Sequence, residues 1–239
     1  MILGVDLGTS GLKCVLTNLN EKIVCSTSTK LNINQFDGNC FEQNPDDWIV
    51  ALETCLHNLK LENIDFSNIE AISFSAQMLG CIIVDEHDKP IRPAILWNDG
   101  RSYLESQYLE NNFTKELLPS GCRPNPGLLL PKLLWIKNNE PNNFKKIKKI
   151  LLPKDYLKLF LTGSFSTDPS DASGTMLFDL IRKDWNQDLI DELEIDRDWL
   201  PDVHPSDKDI GKIRQTLINK WDFNKKIKII NGAGDNAAA

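Results

Sequence analysis

At 239 residues the chain can form one large domain or two small ones and is long enough to bury a sizeable core. Its 41% hydrophobic and 26% charged residues are those of an ordinary globular protein, and a net charge of −7 argues against broad attraction to nucleic acid or to an anionic membrane. Six cysteines (Cys14, Cys25, Cys40, Cys55, Cys81, Cys122) without a C-x-x-C pair and three histidines (His57, His87, His204) without zinc-like spacing fit a reducing, cytoplasmic setting and exclude a zinc framework.

In chain order, Leu3, Val5 and Leu7 alternate with Ile2, Gly4 and Asp6, which reads as a strand. Because that strand carries Asp6, the N-terminus does not read as a signal peptide, and no later apolar run approaches the ~18–20 residues of a membrane span. Gly8-Thr9-Ser10-Gly11 is a turn, and Leu12, Cys14 and Leu16 mark a second strand, so the first seventeen residues form a β-hairpin. Its tip offers backbone N–H groups, two hydroxyls and nearby Lys13, the requirements of a bound phosphate, with Asp6 placed to face a divalent cation. A Gly-Thr-Ser-Gly hairpin can equally be a hairpin and nothing more.

Lys22 to Leu31 reads as a third strand completing a meander, and the polar stretch Gln35 to Gln43 reads as loop. Asn44-Pro45-Asp46-Asp47 is a helix start: an amide cap, a proline at the first position and two carboxylates at the positive end of the dipole. Trp48, Leu52, Cys55, Leu56 and Leu59 follow at helical spacing. Ile69 to Ala76 is a buried strand ending in Gln77-Met78-Leu79-Gly80. Cys81 to Val84 and Ile91 to Trp97, joined by a polar turn, suggest a further hairpin. Helices are expected over Ser102 to Leu109, Leu130 to Asn138 and Lys154 to Leu161, broken by the proline-rich Pro119 to Pro126. Lys145, Lys146, Lys148 and Lys149 read as a solvated helix face before a strand at Ile150 to Leu152. Phe165 to Gly174 is turn-rich, Asp188 to Leu193 and Asp198 to Leu200 are short helical pieces, and Lys226 to Ile230 is a last strand entering Asn231-Gly232-Ala233-Gly234-Asp235-Asn236.

Three loops carry candidate chemistry. Gln77-Met78 at a strand end is packing or a ligand contact. Trp97-Asn98-Asp99-x-Arg101 could stack on and hydrogen-bond a polyol, or be a turn with one ion pair. In Gly232-x-Gly234-Asp235-Asn236 the glycines permit a tight turn and close ligand approach, and Asp235 projects towards a hydroxyl or caps the next helix.

Asp6-x-Gly8-Thr9-Ser10-x-x-Lys13 resembles the first phosphate motif of the sugar kinase/Hsp70/actin superfamily. With Ala76 to Gly80, Arg92 to Arg101 (RPAILWNDGR), Pro131 to Trp135 (PKLLW), Leu151 to Leu157 (LLPKDYL), Thr167 to Met176 (TDPSDASGTM) and Gly232 to Ala238, the whole chain resembles the N-terminal, sugar-binding half of an FGGY-type carbohydrate kinase, and among these the xylulokinases. One departure stands out: Leu79 occupies a place where xylulokinases usually have histidine.

The resemblance implies a ribonuclease-H-like α/β domain over residues 1–239, with a mixed central sheet flanked by helices, and a second, nucleotide-binding domain that this chain does not include. It implies ATP and Mg²⁺ as cofactors and phosphorylation of D-xylulose at the 5-hydroxyl. Asp235 is then the general base and Asp6 the carboxylate at the metal. Gly8, Thr9, Ser10 and Lys13 meet the phosphates, and Gln77, Met78, Leu79, Asn98, Asp99, Arg101 and Asn236 lie near the sugar. The expected partner is a small sugar, with neither nucleic acid nor membrane, and a homodimer stays open. Another sugar or polyol (ribulose, glycerol, gluconate), or an inactive sugar-binding module, remain alternatives, and the fragment alone is expected to be inactive.

Overall fold

The computed structural model describes residues 1–238. Strands β1 (Ile2–Leu7) and β2 (Gly11–Thr17) form the expected hairpin, register Leu7 opposite Leu12, and β3 (Ile23–Lys30) completes the antiparallel meander. The alternation works as the sequence implies. Leu3, Val5, Leu7, Leu12, Cys14 and Leu16 are all buried on one face, while Asp6 and its cross-strand partner Lys13 stand exposed on the other.

The stretch expected as loop is instead a second hairpin, β4 (Asn34–Phe36) and β5 (Cys40–Gln43), turning through Asp37 and Gly38, both in the left-handed region. Its polar side chains concealed it, because Glu42 and Gln43 are buried against other polar groups rather than against apolar ones. Helix α1 (Pro45–Leu61) starts where expected, with Asn44 accepting from the Asp46 N–H at 3.2 Å. Its stripe of Trp48, Leu52, Cys55, Leu56 and Leu59 covers the buried face of the sheet.

Strand β6 (Ala71–Ala76) runs parallel to β1, placing Asp6 beside Ser75 and Leu7 beside Ala76. Cys81 to Val84 and Ile91 to Trp97 meet as an irregular antiparallel hairpin, bridged at Cys81–Ile95 and Val84–Pro90 with Ile91 N–H on Ile83 O; the regular ladders lie on its outer sides, where β7 (Ile82–Val84) pairs with a later strand and β8 (Ala94–Ile95) joins β5. The helical half follows as α2 (Tyr103–Asn112), α3 (Thr114–Leu117), α4 (Leu129–Asn139) and α5 (Pro141–Phe144). The lysine cluster is not on a helix: Lys145, Lys146 and Lys148 lie in the turns after α5, and Lys149 opens β9 (Lys149–Leu151), the antiparallel partner of β7.

Helix α6 (Pro153–Thr162) is buried on nearly every side and ends on Gly163 in the left-handed region (φ 80°). Then come β10 (Ser166–Thr167), the short α7 (Pro169–Ser173) inside the turn-rich stretch, the β11 (Phe178–Asp179) and β12 (Asp184–Trp185) pair, α8 (Gln187–Glu192), β13 (Asp202–Val203) and α9 (Gln215–Trp221). Strands β14 (Lys228–Ile229) and β15 (Ala233–Gly234) both pair parallel with β6, and α10 (Asp235–Ala238) follows. The sheet order β14-β6-β1-β2-β3, a meander extended by parallel strands, is the expected mixed sheet. One apolar core lies between this sheet and α1, α6 and α9; a second gathers α2, α4, α8 and the β11–β12 pair.

Candidate active site

Three parallel strands, β1, β6 and β15, end side by side, and the candidate loops leave from those carboxyl ends, where open α/β sheets present their ligands. From β1 comes the Gly8–Gly11 tip, closed by Gly8 N–H to Gly11 O at 2.9 Å. A Cβ on Gly11 would sit 2.9 Å from Thr29 O, so the tip requires glycine there. Asp6, Ser10 and Lys13 remain exposed around it.

Thr9 is held from three directions. Its hydroxyl donates to Gln77 Oε1 at 3.0 Å and accepts from Trp97 Nε1 at 3.0 Å, and its carbonyl accepts from Gln43 Nε2 at 2.8 Å. Gln43 Oε1 in turn accepts from Gln77 Nε2 at 3.0 Å and Trp48 Nε1 at 3.1 Å. Gln77, expected against the sugar, is therefore buried and spends its amide on Thr9 and Gln43. Its amide aligns the Thr9 tip. Gln43 is the centre of this network and was hidden in the stretch read as loop.

Met78 faces the Asp235 side. A Cβ on Gly234 would lie 2.7 Å from Met78 Sδ, so glycine there is what lets the methionine approach, and Asn236 Nδ2 sits 4.0 Å from the same sulfur. Leu79 adopts φ 66°, a left-handed conformation that a branched residue enters at a cost of about 1–2 kcal/mol. Its side chain packs where any Cβ on Gly174 would collide with it. What holds the turn is Lys132, fully buried, whose Nζ donates to Leu79 O at 2.8 Å and Gly127 O at 2.6 Å. Burial pushes this amine down to about 7. Lys132 lies within the PKLLW stretch, but in sequence it is one more helical lysine, and only its burial singles it out.

Asp99 and Arg101, also expected near the sugar, are consumed by each other. The Asp99 carboxylate accepts from Phe41 N–H (2.6 Å), Arg101 N–H (2.9 Å), Arg101 Nε (2.9 Å) and Arg101 Nη2 (2.8 Å). Arg101 continues to Glu42 at 2.7 Å and lies over the Trp135 ring, 5.0 Å from its centroid; Arg92 also pairs with Glu42. This filled ion cluster braces β5 and the Trp97 loop and leaves little for a ligand. Asn98 differs, since among the described residues its Oδ1 is buried without a donor.

Asp235 stands exposed just past β15, its Oδ1 accepting, among the described residues, only from the Asn236 N–H at 2.8 Å. The structure thus brings together the Thr9 tip, Asp6, Met78, Asp235 and Asn236, with Leu79 next along the chain and packed on Gly174. It turns Gln77, Asp99 and Arg101 inward as scaffolding.

Residues 1–239 match the FGGY family of carbohydrate kinases, N-terminal domain. The chain belongs to that family. It is 39% identical over its full length to the xylulose kinase of Lactococcus lactis, covering 48% of that protein, and 35% identical to the xylulose kinase of Escherichia coli K12, covering 49%. Among solved structures, 99% of the chain superimposes on 48% of a ligand-bound xylulose kinase from Lactobacillus acidophilus, with a TM-score of 0.93 and 31% identity. A gluconate kinase from the same organism matches to the same degree, TM-score 0.93 and 31% identity over 99% of this chain and 48% of that one. The chain spans about half the length of the curated relatives it matches.

Proposed function

We propose that this chain forms the sugar-binding half of an ATP-dependent kinase that phosphorylates D-xylulose on its 5-hydroxyl. The observation that carries this reading is the convergence of an exposed carboxylate, Asp235, with Met78, Asn236 and the Thr9-Ser10 tip at the ends of three adjacent parallel strands. Phosphoryl transfer asks a protein mainly to position donor and acceptor and to neutralise charge, with a carboxylate to orient and deprotonate the nucleophile. Asp235 is that base, accepting the proton of the sugar hydroxyl. Met78 and Leu79 wall the sugar.

No three acidic, histidine or cysteine side chains form a metal cage among the described residues. Mg²⁺ at a phosphoryl-transfer site is held by one or two carboxylates plus substrate phosphates, and Asp6 beside the tip meets that need. Mg-ATP supplies the phosphoryl group and the neutralising charge when bound. Ser10, Lys13 and the backbone of Gly8 and Thr9 would meet its phosphates.

Which sugar is taken is the finer question, since a gluconate kinase fits the fold as well as a xylulose kinase does. Calorimetric titration of the chain with D-xylulose, D-ribulose, gluconate and glycerol decides it. D-xylulose is expected to bind most tightly; a clear lead for gluconate or glycerol would reassign the substrate, and no heat from any would remove the sugar reading.

A further inference from the structure

Behind the Asp235 loop lies a buried cluster of charge that sugar contacts do not explain. Helix α6 contributes Lys154, Asp155 and Lys158, and the segment around α7 contributes Asp168 and Asp171; all five are essentially without solvent access. Such groups are costly unless paired; here Lys154, Lys158 and Asp168 are hydrogen-bonded, while Asp155 and Asp171 are held by the neighbouring ammonium charges alone. Tracing the bonds leads to the candidate base. Lys154 Nζ donates to Asp168 Oδ1 at 2.6 Å, Ser170 Oγ donates to Asp168 Oδ2 at 2.6 Å, and the Gly234 N–H donates to Ser170 Oγ at 3.0 Å.

We infer that Ser170 is a positioning residue for Asp235: its hydroxyl, oriented by the Asp168–Lys154 ion pair, seats the Gly234 N–H and thereby sets where the Asp235 carboxylate meets the sugar hydroxyl. The inference rests on the sugar-kinase reading above.

The polarity of the relay is fixed. A serine hydroxyl has one proton, and an ionised carboxylate can only accept, so that proton goes to Asp168 and a lone pair is left for Gly234. Asp168 stays ionised: burial acts to raise its carboxyl, but Lys154 and the Ser170 and Ser206 hydroxyls outweigh it and hold it below the ordinary carboxylate range. The Asp168 carboxylate is itself pinned by further donors, the Ser170 N–H at 3.0 Å and Ser206 Oγ at 2.9 Å.

The geometry of the sheet explains why such a device is needed. Strand β15 is an edge, paired on one side with β6. Its outward N–H at Gly234 has no strand to meet, and Ser170 takes that place. Upstream, the same neighbourhood anchors the start of the loop. Asn231 Nδ2 donates to Thr167 O at 2.8 Å and His204 O at 2.9 Å, Lys158 bonds Asn231 Oδ1, and Gly232 N–H reaches Ser206 O at 2.9 Å. Among the described residues Asp235 has no side-chain partner beyond its neighbour's N–H, so its place is dictated by the backbone these contacts hold.

The test separates positioning from mere folding. D-xylulose and 5-deoxy-D-xylulose are titrated by calorimetry into the unmodified chain, Ser170→Ala and Ser170→Thr. The unmodified chain should prefer the sugar carrying the 5-hydroxyl by about tenfold or more, the worth of a hydroxyl donating to a charged acceptor. Ser170→Ala should reduce that preference to about twofold while leaving the deoxy sugar's affinity unchanged, and Ser170→Thr should restore it. In parallel, amide exchange at Gly234 should accelerate in Ser170→Ala, with β6 amides unchanged, which reads the relay even if the threonine is poorly accommodated. Full discrimination in Ser170→Ala, an equal loss for both sugars, or unaltered Gly234 exchange each overturn the inference alone. Absence of binding by the unmodified chain overturns the sugar reading and this inference with it.

Discussion

Asp235 and Asp6 are both exposed carboxylates at strand ends, and the proposed function gives them different work. Asp235 lies with Met78 and Asn236; Asp6 lies opposite Lys13 beside the Thr9 tip. In an enzyme carrying both halves, Asp235→Asn should lower turnover by about 10²–10⁴, while sugar affinity falls by no more than about tenfold because the amide oxygen still accepts a hydrogen bond. Asp6→Asn should instead raise the KM for Mg-ATP and leave sugar binding intact; coupled ADP-release kinetics alongside calorimetry checks both. Lys132 makes a prediction of another kind. Its amine titrates near 7 when folded and near 10.4 when unfolded, so across that interval the unfolded chain binds more protons and stability rises with pH. A neutral amine still carries two N–H groups for the two carbonyls it serves. In Lys132→Met this contribution disappears. The stability difference between the native chain and the variant, from urea midpoints, should therefore widen in the native chain's favour between about pH 7 and about pH 10. A difference flat with pH would mean the ammonium stays charged in the fold.

At the scale of elements, the hairpin, α1 and β6 were readable because each buries one apolar face against the same core, which leaves a period of two or of 3.6 in the sequence. What was not readable was built from polar residues that bury each other. The β4–β5 hairpin looks like loop because Glu42 and Gln43 face Arg92, Arg101 and Gln77 rather than aliphatic side chains. Lys154 and Lys158 look like the outer face of an amphipathic helix, and the partners that make them interior are separated from them in sequence, at Asp168 and Asn231. The Asp235 loop was readable from its glycines, and the reason is now geometric. Gly232 sits at φ 75°, and a Cβ there would collide with Phe74 O on β6. Gly232→Ala should cost at least about 1–3 kcal/mol through the left-handed backbone alone, detach β15 from β6, and lower sugar affinity more than a surface alanine does; amide exchange along β15 would show the loss. Leu79, also left-handed, offers the opposite experiment. Histidine enters that region more readily than leucine and brings a donor, so Leu79→His should tighten D-xylulose binding by about two- to tenfold. Unchanged or weaker binding would place Leu79 off the sugar.

Across the molecule, α6 gives Tyr156, Leu157, Leu159 and Leu161 to the sheet-side core while Lys154, Asp155 and Lys158 turn to the charged seam. Three carboxylates and two amines there leave one negative charge in excess if all are ionised. Asp171 absorbs it. Burial drives its carboxyl up to about 7, against the pull of Lys154 at 3.2 Å, and neither oxygen accepts a hydrogen bond. The linkage follows from that direction. Between the unfolded value near 3.9 and the folded value near 7 the folded chain holds the extra proton, so Asp171's contribution is complete below the first and is lost as pH rises through the second. Asp171→Asn keeps the shape of the protonated acid and cannot lose a proton. Comparing urea midpoints of the two proteins at about pH 5.5 and about pH 8, the variant should gain on the native chain as pH rises and stop gaining above about pH 8. Any constant packing cost of the amide cancels in that comparison. Because Asp171 lies beside the Lys154 that orients Asp168 and Ser170, the same rise in pH should loosen the Gly234 amide in the native chain and not in the variant. If the two proteins instead keep a constant separation across the range, the proton is not held at Asp171, and the excess charge of the seam must be met by one of its neighbours.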